Sequence, residues 1–173
     1  MKACQRIFLA ALSLLVCGCS EYAVDYCGLL TMDQVRTVHP DAVSANMEKW
    51  YASTDHPTWY CTWKNSDGEN RLSLNASFAT TNSSRDISRT YSDGSRVAEV
   101  AGVGKDAAAM FYKSNDGNGE RVTLFARDDK WTLDVRSSIA GNESGEQFKK
   151  LKELVNRTFG NLRTDEQFAS LHR

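Results

Sequence analysis

The sequence predicts an α+β fold in which an antiparallel sheet is covered by amphipathic helices. Alternating apolar and polar residues indicate strands, and Trp59, Cys61 and Trp63 share one face of the clearest strand. Short segments rich in Asn, Asp and Gly separate the later strands, which is typical of antiparallel hairpins. Apolar residues recur at helical spacing from Phe148 to Phe159, so this segment is expected to cover the sheet. We expect an arrangement like an α/β/α sandwich.

The elements are expected in the order helix, two strands, helix, three strands, helix. The first helix is predicted to begin at a capping box, Thr31 to Gln34, and to end near His39, before Pro40. Residues 41–56 are predicted to form a long connection that contains a weak strand. The predicted strands are 59–64, 72–78, 107–113, 121–127 and 130–137, and the two later helices are 81–91 and 144–160.

The start of the chain has the layout of a secretory signal. Lys2 and Arg6 precede an apolar run that ends at Val16, and Gly18 and Cys19 follow it. Residues 16–19 therefore supply an aliphatic residue, a free position, a small residue and a cysteine, which is a bacterial lipobox. The run of about 10 residues is half of the roughly 20 needed to cross hydrocarbon as a helix. We expect cleavage before Cys19 and acylation of Cys19.

This cleavage divides the chain into a lipoprotein signal peptide at 1–18, a lipidated tether at 19–26 and a single extracytoplasmic domain at 27–173. Removal of 18 residues from 173 leaves 155, enough for one domain with a substantial core. Two or three acyl chains anchor a protein stably to a membrane. We therefore expect the domain on the extracytoplasmic face of the cell membrane, or at the outer membrane of a cell that has two.

The mature chain is mildly acidic. The signal removes Lys2 and Arg6, which leaves 19 basic and 22 acidic residues and a net charge of −3. No basic cluster is larger than a few residues. This charge pattern argues against a nucleic-acid partner.

The five cysteines predict one disulfide. Cys4 and Cys17 leave with the signal and Cys19 takes lipid, so Cys27 and Cys61 remain. Two such cysteines in an exported protein most often pair. A metal or redox pair is the alternative, but the chain has no C-x-x-C motif and its three histidines lack ligand spacing. No metal and no cofactor are expected.

No catalytic residues are predicted. The sequence has no G-x-S-x-G nucleophile motif. Asp128 and Asp129 form a carboxylate pair, but a hairpin turn explains them. The loop at 115–120 lacks the ligand register of a calcium-binding loop and is predicted to be a hairpin turn as well.

Trp50, Tyr51 and Tyr60 are the candidate binding residues. Trp59 and Trp63 are expected in the core, since they lie on the apolar face of their strand. Tyr60 lies on the polar face, and Trp50 and Tyr51 lie in the irregular segment. Exposed tryptophan and tyrosine often dominate binding energy. The alternative is that this segment packs back as a strand and buries both of its rings.

Three landmarks occur in order along the mature chain: Cys-Gly-Leu-Leu-Thr at 27–31, Cys-Thr-Trp at 61–63, and Val-Ala-Gly-Val-Gly-Lys-Asp-Ala at 100–107. Together, behind a lipobox, they resemble a large family of small actinobacterial lipoproteins classed as a domain of unknown function. The resemblance covers nearly all of the mature chain. It implies pairing of Cys27 with Cys61 and a membrane-tethered domain, and it brings no established activity. Lys105 departs from the family, where an acidic residue often follows the second glycine.

The leading functional hypothesis is a non-enzymatic envelope lipoprotein that binds a small ligand or an envelope protein close to the membrane. The first alternative is an inhibitor or immunity-type lipoprotein that blocks a secreted enzyme, which a protruding aromatic loop would favour. The second is an enzyme that acts on cell-wall or lipid material, which polar residues converging in a cleft would favour.

Overall fold

The computed structural model describes residues 27–50, 58–78, 86, 95–113, 120–139 and 144–164. These ranges contain an N-terminal helix, seven strands and a long C-terminal helix. In chain order they are α1 Met32–Arg36, β1 Ser44–Trp50, β2 Thr58–Lys64, β3 Asn70–Phe78, β4 Arg96–Glu99, β5 Asp106–Lys113, β6 Glu120–Arg127, β7 Trp131–Ser137 and α2 Glu146–Thr164.

The strands form one antiparallel sheet in the order β1-β2-β3-β7-β6-β5-β4. Every neighbouring pair is antiparallel, as the hairpin-like turns predict. The antiparallel sheet of the predicted α+β fold is therefore confirmed, and β7 lies at its centre.

One face of the sheet forms the hydrophobic core. Trp59, Cys61 and Trp63 are fully buried on it, as the alternation in β2 predicts. Both helices contribute to the same cluster, and the rings of Phe111 on β5 and Phe148 on α2 lie 5.4 Å apart between centroids. The predicted apolar stripe of α2 is buried, and Leu162 extends it; the predicted members are Phe148, Leu151, Leu154, Val155 and Phe159.

Two boundaries of the helices differ from the prediction. The capping box is confirmed: the Thr31 hydroxyl accepts from the Gln34 amide at 3.3 Å, and the Gln34 side chain accepts from the Thr31 amide at 2.9 Å. However, α1 ends at Arg36 rather than near His39. The prediction that α2 ends at Gly160 is wrong, because buried Leu162 continues the apolar stripe for another turn. Tertiary packing outweighs the low helix propensity of glycine.

Two edge strands, β1 and β4, are more regular than the sequence indicates. The weak strand predicted within 41–56 is a regular edge strand at 44–50, which pairs with β2 along its whole length. Strand β4 was not predicted, because its four residues are too few to show a period. Both are edge strands. Their side chains are only partly buried, so the alternation of apolar and polar residues on which the prediction depends is weak.

The helix predicted at 81–91 and the turn predicted at 115–120 lie outside the described residues, except for Asp86, which is helical. Of the described helices, α1 and α2 cover the same face of the sheet. A helix over the opposite face, which an α/β/α-like sandwich requires, therefore stays a prediction.

Candidate binding groove on the second face of the sheet

The disulfide joins the start of the described domain to the sheet. Cys27 and Cys61 are bonded and buried, with Cα atoms 5.8 Å apart, within the usual range for a disulfide. The bond spans 34 residues and attaches residue 27 to the middle of β2. The predicted pairing is confirmed.

Of the three candidate aromatic residues, the structure describes the side chain of Tyr60 alone. Tyr60 lies half-buried on β2, on the face opposite Trp59 and Trp63, as predicted. Trp50 is the last residue of β1, opposite Thr58 in the register, so the backbone is that of a strand here. The side chain of Trp50, and all of Tyr51 and Cys19, lie outside the described residues. The candidate site is therefore the face of the sheet on which Tyr60 lies.

A row of polar residues crosses the face on which Tyr60 lies. The strand register places Thr62, Ser73, Arg136 and Thr123 side by side on β2, β3, β7 and β6. The two residues that flank Arg136 directly, Ser73 and Thr123, are short and buried. Because Ser73 and Thr123 are short, they leave space beside the longer Arg136 side chain, and a cavity opens there. We call this row and its two neighbouring rows the central groove.

The two walls of the central groove follow from the same register. One wall carries Tyr60, Asn75, Asp134 and Phe125, which are adjacent across β2, β3, β7 and β6. The other wall includes Tyr112 of β5, which lies opposite Arg121 of β6. Accessibility varies along the groove: Phe125 is buried, whereas Tyr60, Asn75 and Tyr112 are half-exposed.

Arg136 is the charged residue at the centre of the groove. Its guanidinium donates from Nη2 to Asp134 Oδ2 at 3.1 Å and from Nε to Asp134 Oδ1 at 3.4 Å. This hydrogen bonding and the charge of Asp134 raise the pKa of Arg136, and the nearby Tyr112 and Tyr60 phenols add to the effect. The Arg136 side chain is 65% exposed, so the pair with Asp134 orients the guanidinium without removing it from solvent.

A small cavity adjoins Arg136. Its volume is about 180 Å³, and its lining comprises Arg136, Thr123, Tyr112, Phe125 and Met110. Typical ligand pockets span roughly 300–1,000 Å³. The cavity is therefore large enough for one ring or a short side group, and the rest of a ligand would extend along the groove.

One acceptor on this face is unsatisfied among the described residues. The Oδ1 atom of Asn75 is buried and has no hydrogen-bond partner there. A buried acceptor without a partner costs about 1–3 kcal/mol.

No family model, curated protein or solved structure matches this chain. The chemistry of the groove must therefore be inferred from its own residues. In the part of the chain that the structure describes, no three His, Cys, Asp or Glu side chains are placed to hold a metal ion. The groove combines a cation, hydrogen-bonding side chains and aromatic rings, which is a set suited to binding.

A second cavity lies beside the disulfide. It has a volume of about 400 Å³ between residues 27–31, α1 and the end of α2. Its polar side chains bond to neighbouring protein atoms: Asn161 Nδ2 donates to the Leu29 carbonyl at 2.6 Å, and Thr164 donates to the Gly160 carbonyl at 3.0 Å. Since these groups already have partners, we do not assign this cavity a ligand.

Asp128 and Asp129 have structural roles, as the hairpin interpretation predicts. Asp128 Oδ1 accepts from the backbone amides of Lys130 at 2.8 Å and Trp131 at 2.7 Å, which fixes the turn between β6 and β7. Its Oδ2 accepts from Arg163 of α2. Asp129 pairs with Lys105 and so connects this turn to the neighbouring loop.

The glycine-containing loop at 100–104, part of the third sequence landmark, is hydrogen-bonded to α2. Asn156 donates to the Gly102 carbonyl at 2.7 Å and accepts from the Gly104 amide at 3.1 Å. Gly104 has φ +55°, and a Cβ there would lie 2.5 Å from the Arg127 carbonyl oxygen. The close approach of the two backbones explains the glycine at this position.

The structure also brings together His39 and Ser137, which sequence reasoning missed. The His39 Nε2 and Ser137 Oγ atoms are 2.7 Å apart, and each residue is only 4% exposed. Their separation of 98 residues left no local signal in the sequence. Because both are buried in the core, the pair lacks the access to substrate that a catalytic serine and histidine need.

Acid is expected to destabilise the domain through His39. Burial lowers the pKa of His39 from 6.5 to about 4; Asp41 opposes this shift and Arg71 adds to it. The native state therefore binds fewer protons than the unfolded state between these values, and stability falls as the pH drops from 6.5 toward 4. The expected loss is about 2 kcal/mol between pH 7 and pH 4.5, measured by urea unfolding.

The matched variant is His39→Gln, which keeps a hydrogen-bonding group beside Ser137 and does not titrate. Its unfolding free energy is expected to depend less on pH across the same interval than that of the natural protein. Equal pH dependence of the two proteins would contradict the assignment to His39.

Proposed function

We propose that this chain is an exported lipoprotein, acylated at Cys19, that acts as a non-enzymatic binding module at the extracytoplasmic face of the membrane. The central groove is the proposed binding surface. The domain presents it close to the bilayer, because the seven residues at 20–26 span at most about 25 Å when extended.

The observation that carries this proposal is the arrangement around Arg136. The exposed Arg136 guanidinium is oriented by Asp134, and Tyr112 lines the cavity beside it. Such groups give directional binding without a nucleophile or base. Rigid strands hold all of them, so little conformational entropy is lost when a ligand binds.

The proposed anchor is lipid. Among the residues that the structure describes, no helix is long and apolar enough to cross a membrane. The support for lipidation is the lipobox at 16–19 behind a basic and apolar start. Several acyl chains on Cys19 would give a stable attachment.

Cys19→Ser tests the anchor. In bacterial cells that process lipoproteins, the natural chain is expected in the membrane fraction after high-salt washing, and the variant is expected in the soluble fraction. The reason is that no other proposed element attaches the domain to the bilayer. Cys17→Ser is the matched control and should leave the protein in the membrane fraction. Retention of the Cys19→Ser variant would contradict the proposal.

The groove is tested separately on the mature, isotope-labelled lipoprotein in detergent micelles. A water-soluble extract of the source cell envelope is expected to shift the amide resonances of Ser73, Thr123 and Arg136. Lys149 and Arg157, which are exposed or partly exposed on α2, serve as references. Shifts confined to α2 would contradict the groove as the binding surface.

A further inference from the structure

The connection between β3 and β4 joins two strands that point the same way. Four antiparallel pairings separate them in the order β3-β7-β6-β5-β4, so their directions agree. The other consecutive strands of the described sheet are neighbours and run antiparallel. A connection between parallel strands returns from one end of the sheet to the other, usually as a helix over one face. The 17 residues at 79–95 are therefore a crossover connection.

Backbone hydrogen bonds define the hand of the sheet. When a strand of L-residues runs upward and a side chain faces the viewer, the N–H and C=O of that residue point to the right. Val100 is buried in the core and donates its N–H to the Ala107 carbonyl of β5 at 2.9 Å. Seen from the core face with β4 upward, β5 therefore lies to the right of β4. Seen from the second face, which carries Tyr60, the order runs from β3 on the left to β4 on the right.

A second hydrogen bond gives the same hand. Arg71 lies on the second face, two residues before Ser73, and its carbonyl accepts from the N–H of Ser138, directly after β7, at 3.0 Å. Strand β7 is therefore to the right of β3 in the same view. Connections between parallel strands of one sheet are right-handed in about 98% of cases. A right-handed connection from the left strand to the right strand passes in front of the sheet, so residues 79–95 are expected over the second face.

The register also gives the course of the crossover. Phe78 ends β3, and Arg96 begins β4 level with Leu72, six residues earlier. The two ends are about 19 Å apart across four strand spacings and about 20 Å apart along the strands, which makes a diagonal of about 28 Å. A helix at 81–91 spans about 16 Å, and the flanking residues can add about 20 Å. The segment is therefore long enough, and the middle of its course lies over Phe125 of β6.

Burial on the second face follows this diagonal. Thr132 on β7, Phe125 on β6 and Met110 on β5 are 9%, 4% and 9% exposed. Long side chains stand perpendicular to a sheet, and both described helices lie on the other face, so another part of the chain covers these residues. Arg136 on one side of the diagonal and Glu99 on the other are exposed. The buried residues therefore mark the course that the register gives.

The sequence of the segment fits a helix with one side on this diagonal. Ile87 and Tyr91 are four residues apart and so lie on the same side of a helix. The other residues at 81–91 are polar. Asp86 is helical and exposed, as expected of a residue that points away from the side of Ile87 and Tyr91. The apolar side of the segment therefore matches the buried stripe in both position and chemistry.

We propose that residues 79–95 cross the second face as a right-handed connection, with Ile87 and Tyr91 packed on Phe125. The crossover divides this face into two parts, one of which carries Arg136. The inference is independent of the proposed binding function. It has a consequence for that function: a ligand in the central groove contacts the part that carries Arg136, and Phe125 is covered by the chain itself.

Nuclear Overhauser effects on the natural mature lipoprotein in micelles test this course without a substitution. The Ile87 methyl groups and the Tyr91 ring are expected to show contacts with the Phe125 ring. Contacts of Ile87 with Phe148 in the core would place the segment on the other face and overturn the proposal. Absence of contacts between Ile87 and either phenylalanine would overturn it as well.

A double-mutant cycle tests whether the two residues are coupled. Ile87→Ala and Phe125→Ala are each expected to raise the equilibrium constant of unfolding, measured with urea, because each removes an apolar contact. The double variant is expected to raise it about fivefold less than the product of the two single effects, since the effects of residues in contact are not additive.

Ile87→Ala combined with Tyr60→Ala is the matched control cycle. Tyr60 lies on the same face but on β2, outside the course between β3 and β4. Its effect and that of Ile87→Ala should multiply to within about twofold. Equal coupling in the two cycles would overturn the proposed contact. If Phe125→Ala does not fold, Phe125→Leu takes its place in the cycle.

Discussion

Asp128→Ala is expected to lower the free energy of unfolding by about 2–3 kcal/mol, because it removes a buried carboxylate that accepts hydrogen bonds from backbone amides and from Arg163. The Asp128 side chain is only 2% exposed, and its two oxygens accept four hydrogen bonds. Its loss leaves the buried Trp131 amide without this acceptor. It also detaches the end of α2 from the turn between β6 and β7. Urea unfolding followed by circular dichroism measures the change.

Asp129→Ala is the matched control for Asp128→Ala. Asp129 is the next residue in the same turn, but its side chain is 70% exposed and it pairs with the exposed Lys105. Exposed pairs contribute about 0–1 kcal/mol. A change of less than about 1 kcal/mol for Asp128→Ala, comparable to this control, would contradict the structural role assigned to Asp128.

Reduction of the Cys27–Cys61 disulfide is expected to destabilise the domain by about 3–4 kcal/mol, because the bond closes a loop with a sequence separation of 34. Both sulfurs lie in the core, so the reduced thiols also pack in a site shaped for the bond. Urea unfolding with and without reductant, under otherwise equal conditions, measures the difference.

Thiol counting on the denatured mature protein checks the chemical premise of this prediction. No thiols are expected before reduction and two afterwards, since the sulfur of Cys19 is proposed to carry lipid. Two titratable thiols in the unreduced protein would contradict the disulfide. The Cys27→Ser/Cys61→Ser double variant should reproduce the loss of stability without reductant.

Most of the sheet was predictable because its central strands alternate strongly. Trp59, Cys61 and Trp63 on β2 defined both a strand and its buried face. The pattern is weaker at the edges: it indicated only a weak strand around Ala45 and Met47, which are partly buried, and it did not predict β4, which is four residues long. The alternation of apolar and polar residues reflects the burial of one strand face, and edge strands are buried too little to show it clearly.

The candidate site was less predictable than the fold. Tyr60 was selected from the sequence because it lies on the polar face of its strand. Its partners Asn75, Asp134 and Arg136 come from β3 and β7, and only the register brings them together. Neighbours in an antiparallel sheet depend on strand order, which the sequence did not specify. For the same reason, the contact between His39 and Ser137 could not be predicted from the sequence.

The disulfide has a mechanical consequence if Cys19 is acylated as proposed. A force applied between the membrane and the domain enters the chain at residue 19 and reaches Cys27 within eight residues. The covalent bond then passes that force to Cys61 in β2, which is hydrogen-bonded to β1 on one side and β3 on the other. Tension on the tether is therefore resisted by a strand held on both edges, and α1 is not pulled from the core first.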